Sequence, residues 1–105
     1  MKAKTSVQNY ASGEWRVRKG AEGEFVERWR QFLEWTRASS PGFISARLIR
    51  DFGDPRHFVS LAEWESPAAL DGWRGNPGFA ARFGACRALC DDMSGSNYGL
   101  VADVS

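Results

Sequence analysis

A chain of 105 residues is the size of one small domain, which excludes a multidomain enzyme. Hydrophobic residues at 43%, charged residues at 26% and fourteen aromatic side chains (seven Phe, five Trp, two Tyr) exclude a disordered segment and require a core. Fourteen Lys and Arg against 13 Asp and Glu leave a net charge of +1, which gives no electrostatic case for nucleic acid or an anionic membrane as partner.

Residues 1–105 read as a single domain, with 1–10 polar enough to form a mobile N-terminal segment. No apolar stretch near the start resembles a signal peptide and none approaches ~20 residues, so a cytoplasmic protein is expected. From Gly13 the run Glu14-Trp15-Arg16-Val17-Arg18 alternates polar and apolar, as a strand with one buried face does. Over 21–39 the residues Phe25, Val26, Trp29, Phe32, Leu33 and Thr36 recur at the helical period. Glu24/Arg28 and Glu27/Arg30 are spaced to pair on the opposite face. Ser39-Ser40-Pro41-Gly42 ends this helix.

The next segment, 43–50, alternates in steps of two with Ile44, Ala46 and Leu48 on one side. After a turn at 52–55, residues 56–64 form a second strand of a hairpin. Phe58, Ser60, Ala62 and Trp64 share one face and Val59 and Leu61 the other. Ser66-Pro67 and Asn76-Pro77 each put a capping side chain before a proline, which predicts two short helical pieces starting at the prolines. Residues 91–97 are expected to be mobile, and the alternation of Tyr98, Leu100, Ala102 and Val104 predicts a closing strand.

The resulting order, β-α-β-β-α-β, describes an α+β ferredoxin-like plait: a four-stranded antiparallel sheet with its helices on one face. Val59, Leu61, Ile49 and Val101 are then apolar residues on the uncovered face, and a second copy packing sheet to sheet is the simplest cover. A two-fold homodimer is therefore expected. Cys86 and Cys90 stand one helical turn apart, which suits small core residues better than a disulfide. With one histidine in the whole chain they are too few donors for a structural zinc site.

The segment Ala62-Glu63-Trp64-Glu65-Ser66-Pro67-Ala68-Ala69-Leu70, followed by Trp73 and Asn76-Pro77-Gly78-Phe79, resembles the antibiotic biosynthesis monooxygenase family. Residues 15–20 before the first helix and Pro41-Gly42-Phe43 after it are also similar, so the likeness spans about 13–104. The resemblance implies a dimeric α+β barrel whose subunits each hold a hydrophobic pocket between sheet and helices. It also implies one of two activities: oxidation of anthrone-type polyketides without flavin, haem or metal, or degradation of haem. The haem branch carries a His and an Asn at the positions of Phe83 and Gly13, so haem is not expected as a cofactor, nor is any other cofactor or metal. The anthrone branch has Asn, Tyr and Arg where this chain reads Ser60, Leu70 and, roughly, Arg82, while Trp64 is kept.

Three residues are therefore candidates for catalysis: Trp64 as an indole N–H donor, Ser60 as a hydroxyl on the same strand face, and Arg82 as an electrostatic helper. Each also has a plain structural role open to it, as a core indole, a strand serine or a solvated helix arginine. Trp15, Phe25, Trp29, Leu70, Trp73, Phe79 and Phe83 are candidates for substrate-binding walls or for ordinary core packing. His57 is a natural proton acceptor by pKa, but strand parity sends it away from Trp64. Arg47 is a weaker candidate for steering an acidic substrate.

The expected function is a cofactor-independent monooxygenase that oxidises a phenolic or anthrone-type hydrophobic metabolite with O₂. A polyketide cyclase or isomerase on the same fold, and a non-catalytic binder of a hydrophobic metabolite, are the alternatives.

Overall fold

The computed structural model describes residues 8–105; the expectation of mobility for residues 1–7 lies outside the described residues. The chain runs β1 (Asn9–Val17), α1 (Glu22–Ser39), β2 (Phe43–Asp51), β3 (Asp54–Trp64), α2 (Pro67–Gly75), α3 (Phe79–Arg87) and β4 (Cys90–Gly99). The four strands form one antiparallel sheet in the order β2-β3-β1-β4. This is the ferredoxin-like plait, with three helices because the last helical segment is split. No helix among the described residues is long and apolar enough to cross a membrane.

Strand β1 starts earlier than its alternation alone suggests. Asn9 and Tyr10, expected in a mobile segment, pair with Trp64 and Glu63 of β3 and with Gly99 and Tyr98 of β4. Its alternation sends Ala11, Gly13, Trp15 and Val17 into the core and Glu14 and Arg16 outward. Helix α1 buries Phe25, Phe32, Leu33 and Thr36 along one stripe, while Glu22 and Glu24 in its first turn face the positive end of the helix dipole. The pairs Glu24–Arg28 at 3.7 Å and Glu27–Arg30 at 3.9 Å form on its exposed face, where solvent leaves such pairs little net energy. The α1–β2 turn depends on Gly42: its φ of +88° suits glycine, and a Cβ there would lie 2.4 Å from Ala69 Cβ of α2.

In the β2–β3 hairpin Ala46 and Leu48 pack on the core, whereas Ile44 sits at a register shift and is 47% exposed. Ser66 caps α2 as predicted, its hydroxyl accepting from Ala69 N–H at 3.0 Å with Pro67 in the first turn. The second proline does not open a helix. Asn76 N–H instead closes α2 on Trp73 O, its Oδ1 accepts from Gly78 N–H, and α3 starts at Phe79.

The closing strand needs a larger correction. Residues 91–97, expected to be mobile, lie inside β4, while 100–105 have no regular structure. Val101 is almost fully exposed beyond β4 and is not part of the sheet face. Backbone pairing with β1 makes β4 a strand even though its side chains are small and polar. Cys86 and Cys90 are buried free thiols, and burial pushes Cys86 up to about 12.

The sheet face away from the helices presents Ile49, 62% exposed, Leu61, 42% exposed, and a half-buried Val59. His57 lies on this face, opposite to Trp64 as strand parity requires. Its Nδ1 is 3.1 Å from Asp51 Oδ2 and its Nε2 2.9 Å from Glu14 Oε1. Hydrogen bonds to Asp51 and then Glu14 raise its pKa above the ordinary 6.5. The protonated imidazole is therefore favoured in the folded state. Its stabilising effect is full below the unfolded value and is lost as pH rises through the higher folded value. Unfolding by urea at a series of pH values should show this loss beginning above about pH 6.5 in the wild type and absent in His57→Gln; equal slopes in the two would contradict it.

Candidate functional site

A cavity of about 430 Å³, partly open to solvent, lies between the sheet and the helices. Its volume is in the range of small-molecule sites. Trp15 and Ser60 line it from the sheet, Trp29 and Phe32 from α1, Trp73 from α2, and Phe79 and Phe83 from α3. The rings brace one another: Phe79 and Phe83 stack at 5.4 Å, and Phe83 leans on Trp15 at 5.6 Å. An aromatic-lined chamber follows from the sequence pattern, because the helical stripe of α1 and the inward face of β1 and β3 meet there.

On the sheet side, one side-chain hydrogen bond joins two of the lining residues. Trp15 Nε1–H donates to Ser60 Oγ at 3.0 Å across the β1–β3 pair. The Ser60 hydroxyl donates to no other group among the described residues, so its own proton is available to an occupant of the cavity. Gly13 makes room for this pair: a Cβ there would lie 2.8 Å from Trp15 Nε1 and 3.0 Å from Ser60 Oγ. An Asn at this position would have no space, and Phe83 has no donor atom, so the residues present do not fit the haem-ligating pattern. Among the described residues no cluster of three or more His, Cys, Asp or Glu could hold a metal ion.

Of the ten candidate residues, the structure brings Ser60, Trp15, Trp29, Trp73, Phe79 and Phe83 to the cavity lining. It does not bring the other four. Trp64 is 0% exposed, packed edge-on against Phe43 at 5.5 Å and against Trp73 at 4.9 Å. Trp73 stands between it and the cavity, held by its own Nε1–H donating to Thr36 Oγ1 at 3.0 Å. The Trp64 Nε1–H is buried with no acceptor among the described residues. Phe25 is fully buried between Trp15 and Phe58, and Leu70 is buried on the inner face of α2. Arg82 stacks on Trp35, 4.5 Å from the ring centroid, and donates to Gly78 O at 3.2 Å. Arg47 is likewise absent from this cavity.

Several lining residues had no place among the candidates, among them Arg74 in the last turn of α2, and Met93 and Asn97 of β4. The signal for Arg74 was its place next to Trp73. For Met93 and Asn97 the sequence carries no comparable signal, because no apolar rhythm marks β4.

The chain belongs to the antibiotic biosynthesis monooxygenase family, whose sequence model matches residues 10–83. No curated protein sequence matches it. Among solved structures it is similar to a mutant of SnoaB, a cofactor-independent oxygenase from Streptomyces nogalater, with a TM-score of 0.81 and 23% identity over 93% of this chain and 95% of that one. A conserved protein from Methanosarcina mazei Go1 gives a TM-score of 0.79 at 18% identity, over 89% and 92% of the two chains. An antibiotic biosynthesis monooxygenase gives 0.73 at 24% identity, over 91% and 99%. At these identities the likeness establishes the fold.

Proposed function

We propose that this protein is a cytoplasmic, cofactor-independent monooxygenase that oxidises a phenolic, anthrone-type aromatic metabolite with O₂. The observation that carries the reading is the ring-lined cavity with the Trp15–Ser60 pair on its sheet side; the family and the description of SnoaB support the reaction type. The aromatic walls hold a flat polycycle by stacking and exclude water from it. Ser60, oriented by Trp15, donates its hydroxyl proton to a substrate oxygen on which negative charge grows as a C–H proton leaves.

The resulting carbanion passes one electron to O₂. Radical recombination forms a C–O bond, and loss of water leaves a carbonyl. Overall, a CH₂ group and O₂ become C=O and H₂O, so the substrate supplies all the electrons. No carboxylate or imidazole lines the cavity among the described residues. The proton therefore goes to water at the open side.

Purified metal-free protein given anthrone under air should consume O₂ and form the quinone in equal amounts, and should form no product without O₂. Product formed without O₂ would favour a cyclase or isomerase instead, and saturable binding with no chemical change would favour a binding protein.

The homodimer is part of this proposal. The exposed Ile49 and Leu61 and the half-buried Val59 form a face that a second sheet would cover. Light scattering at micromolar concentration should give the mass of two chains, and a monomeric mass would refute it.

A further inference from the structure

The cavity is walled mostly by rings and small residues, and among the described residues one charged side chain lines it: Arg74, in the last turn of α2. Its guanidinium carbon lies 6.0 Å from the ring centroid of Trp73, itself a cavity wall. Among the described residues Arg74 forms no ion pair, not even with Asp71 one turn earlier on the same helix. Five other arginines, Arg16, Arg28, Arg30, Arg37 and Arg56, each meet a carboxylate. Arg18, Arg47, Arg50, Arg82 and Arg87 also form no ion pair among the described residues, but none of them lines this cavity, and Arg82 is folded onto Trp35.

An uncompensated cation beside apolar walls, with no carboxylate in the lining, gives the chamber a positive potential at the side where it meets solvent. The planar fork of a guanidinium matches the two oxygens of a carboxylate. Trp73 limits the orientations that this fork can take, so less freedom is lost when an anion binds.

We propose that Arg74 is a specificity-determining residue which binds a carboxylate carried by the aromatic guest, so that the substrate class is a flat polycyclic aromatic acid. This rests on the reading of the cavity as the substrate site. Within that reading the two ends of the guest have separate partners: Ser60 takes the oxygen at the reacting ring, and Arg74 takes a permanent anion that does not react.

Paired probes test it: anthraquinone-2-carboxylate and its neutral isostere anthraquinone-2-carboxamide, titrated against the full chain by quenching of tryptophan fluorescence. The wild type should bind the carboxylate roughly fivefold more tightly than the amide, the scale of a part-exposed ion pair, and 0.5 M salt should shrink that ratio. Arg74→Gln should bring the ratio to about one with amide binding unchanged, and Arg74→Lys should keep part of the preference. Arg82→Gln should leave the ratio as in the wild type. Equal wild-type affinities for the two probes, or a preference that survives Arg74→Gln, would overturn the role of Arg74 while leaving the cavity as the binding site. No saturable quenching by either probe would overturn both readings together.

Discussion

Replacing Trp64 with alanine is expected to lower the unfolding free energy by about 3 kcal/mol, among the largest single-residue effects in this chain. Trp64 is completely buried and its ring is enclosed by Phe43 and Trp73, so alanine leaves a void that the surrounding rings cannot close without giving up their own contacts. Core Trp-to-Ala changes cost about 3–5 kcal/mol, and the lower end applies here because the same change removes an indole N–H that is buried without an acceptor. A domain of this size has about 5–15 kcal/mol in total. The variant should therefore show a urea midpoint far below the wild type. Trp64→Phe retains most of the ring and deletes the unpartnered N–H, so its midpoint should lie much closer to the wild type. A midpoint for Trp64→Ala within error of the wild type would mean that Trp64 is not enclosed as described.

Ser60→Ala is expected to reduce kcat for anthrone oxidation by about 100-fold, the usual effect of losing one hydrogen-bond donor to a developing oxyanion, with KM little changed. In the proposed mechanism the bond from Ser60 to the substrate oxygen strengthens as charge builds on that oxygen, so the loss falls on the transition state rather than on the bound ground state. Folding should suffer by only about 1 kcal/mol, since Trp15 Nε1 loses its acceptor while the ring stays packed. Ser60→Thr keeps the hydroxyl and should recover most of the rate. Oxygen uptake measured at saturating substrate distinguishes these cases. Full activity in Ser60→Ala would remove Ser60 from the chemistry, whereas equal loss in the Ala and Thr variants would point to packing as the cause.

The sequence made the fold legible where burial is periodic. The alternation at 14–18, the α1 stripe and the β2–β3 hairpin each repeat at the period of their backbone, because one face of each element meets the core. Strand β4 was not legible for the same reason: apart from Cys90 its side chains are exposed or half-buried, so no apolar rhythm marks it, and pairing with β1 alone defines it. The alternation at 98–104 looked more strand-like but belongs mostly to the exposed tail.

Strand parity put Trp64 on the same face as Ser60, and that face is correct. Parity does not report depth, and Trp64 lies at the end of β3 where Trp73 covers it. The family resemblance likewise pointed to Arg82 without showing that its guanidinium turns to Trp35. The Trp15–Ser60 bond joins residues 45 apart in the chain, which is beyond any local pattern.

The missing side chain at position 13 links the shape of the chamber to its chemistry. Any substituent added there to suit a smaller guest would push first on the indole nitrogen of Trp15 and the hydroxyl of Ser60, the two atoms of the proposed donor pair. Guest size and reactivity therefore cannot be tuned separately from this position. If Ser60 is the donor as proposed, a descendant of this protein that acquired a bulkier residue here would have to recruit its proton donor from another part of the wall, so one substitution would redirect the whole site rather than trim it.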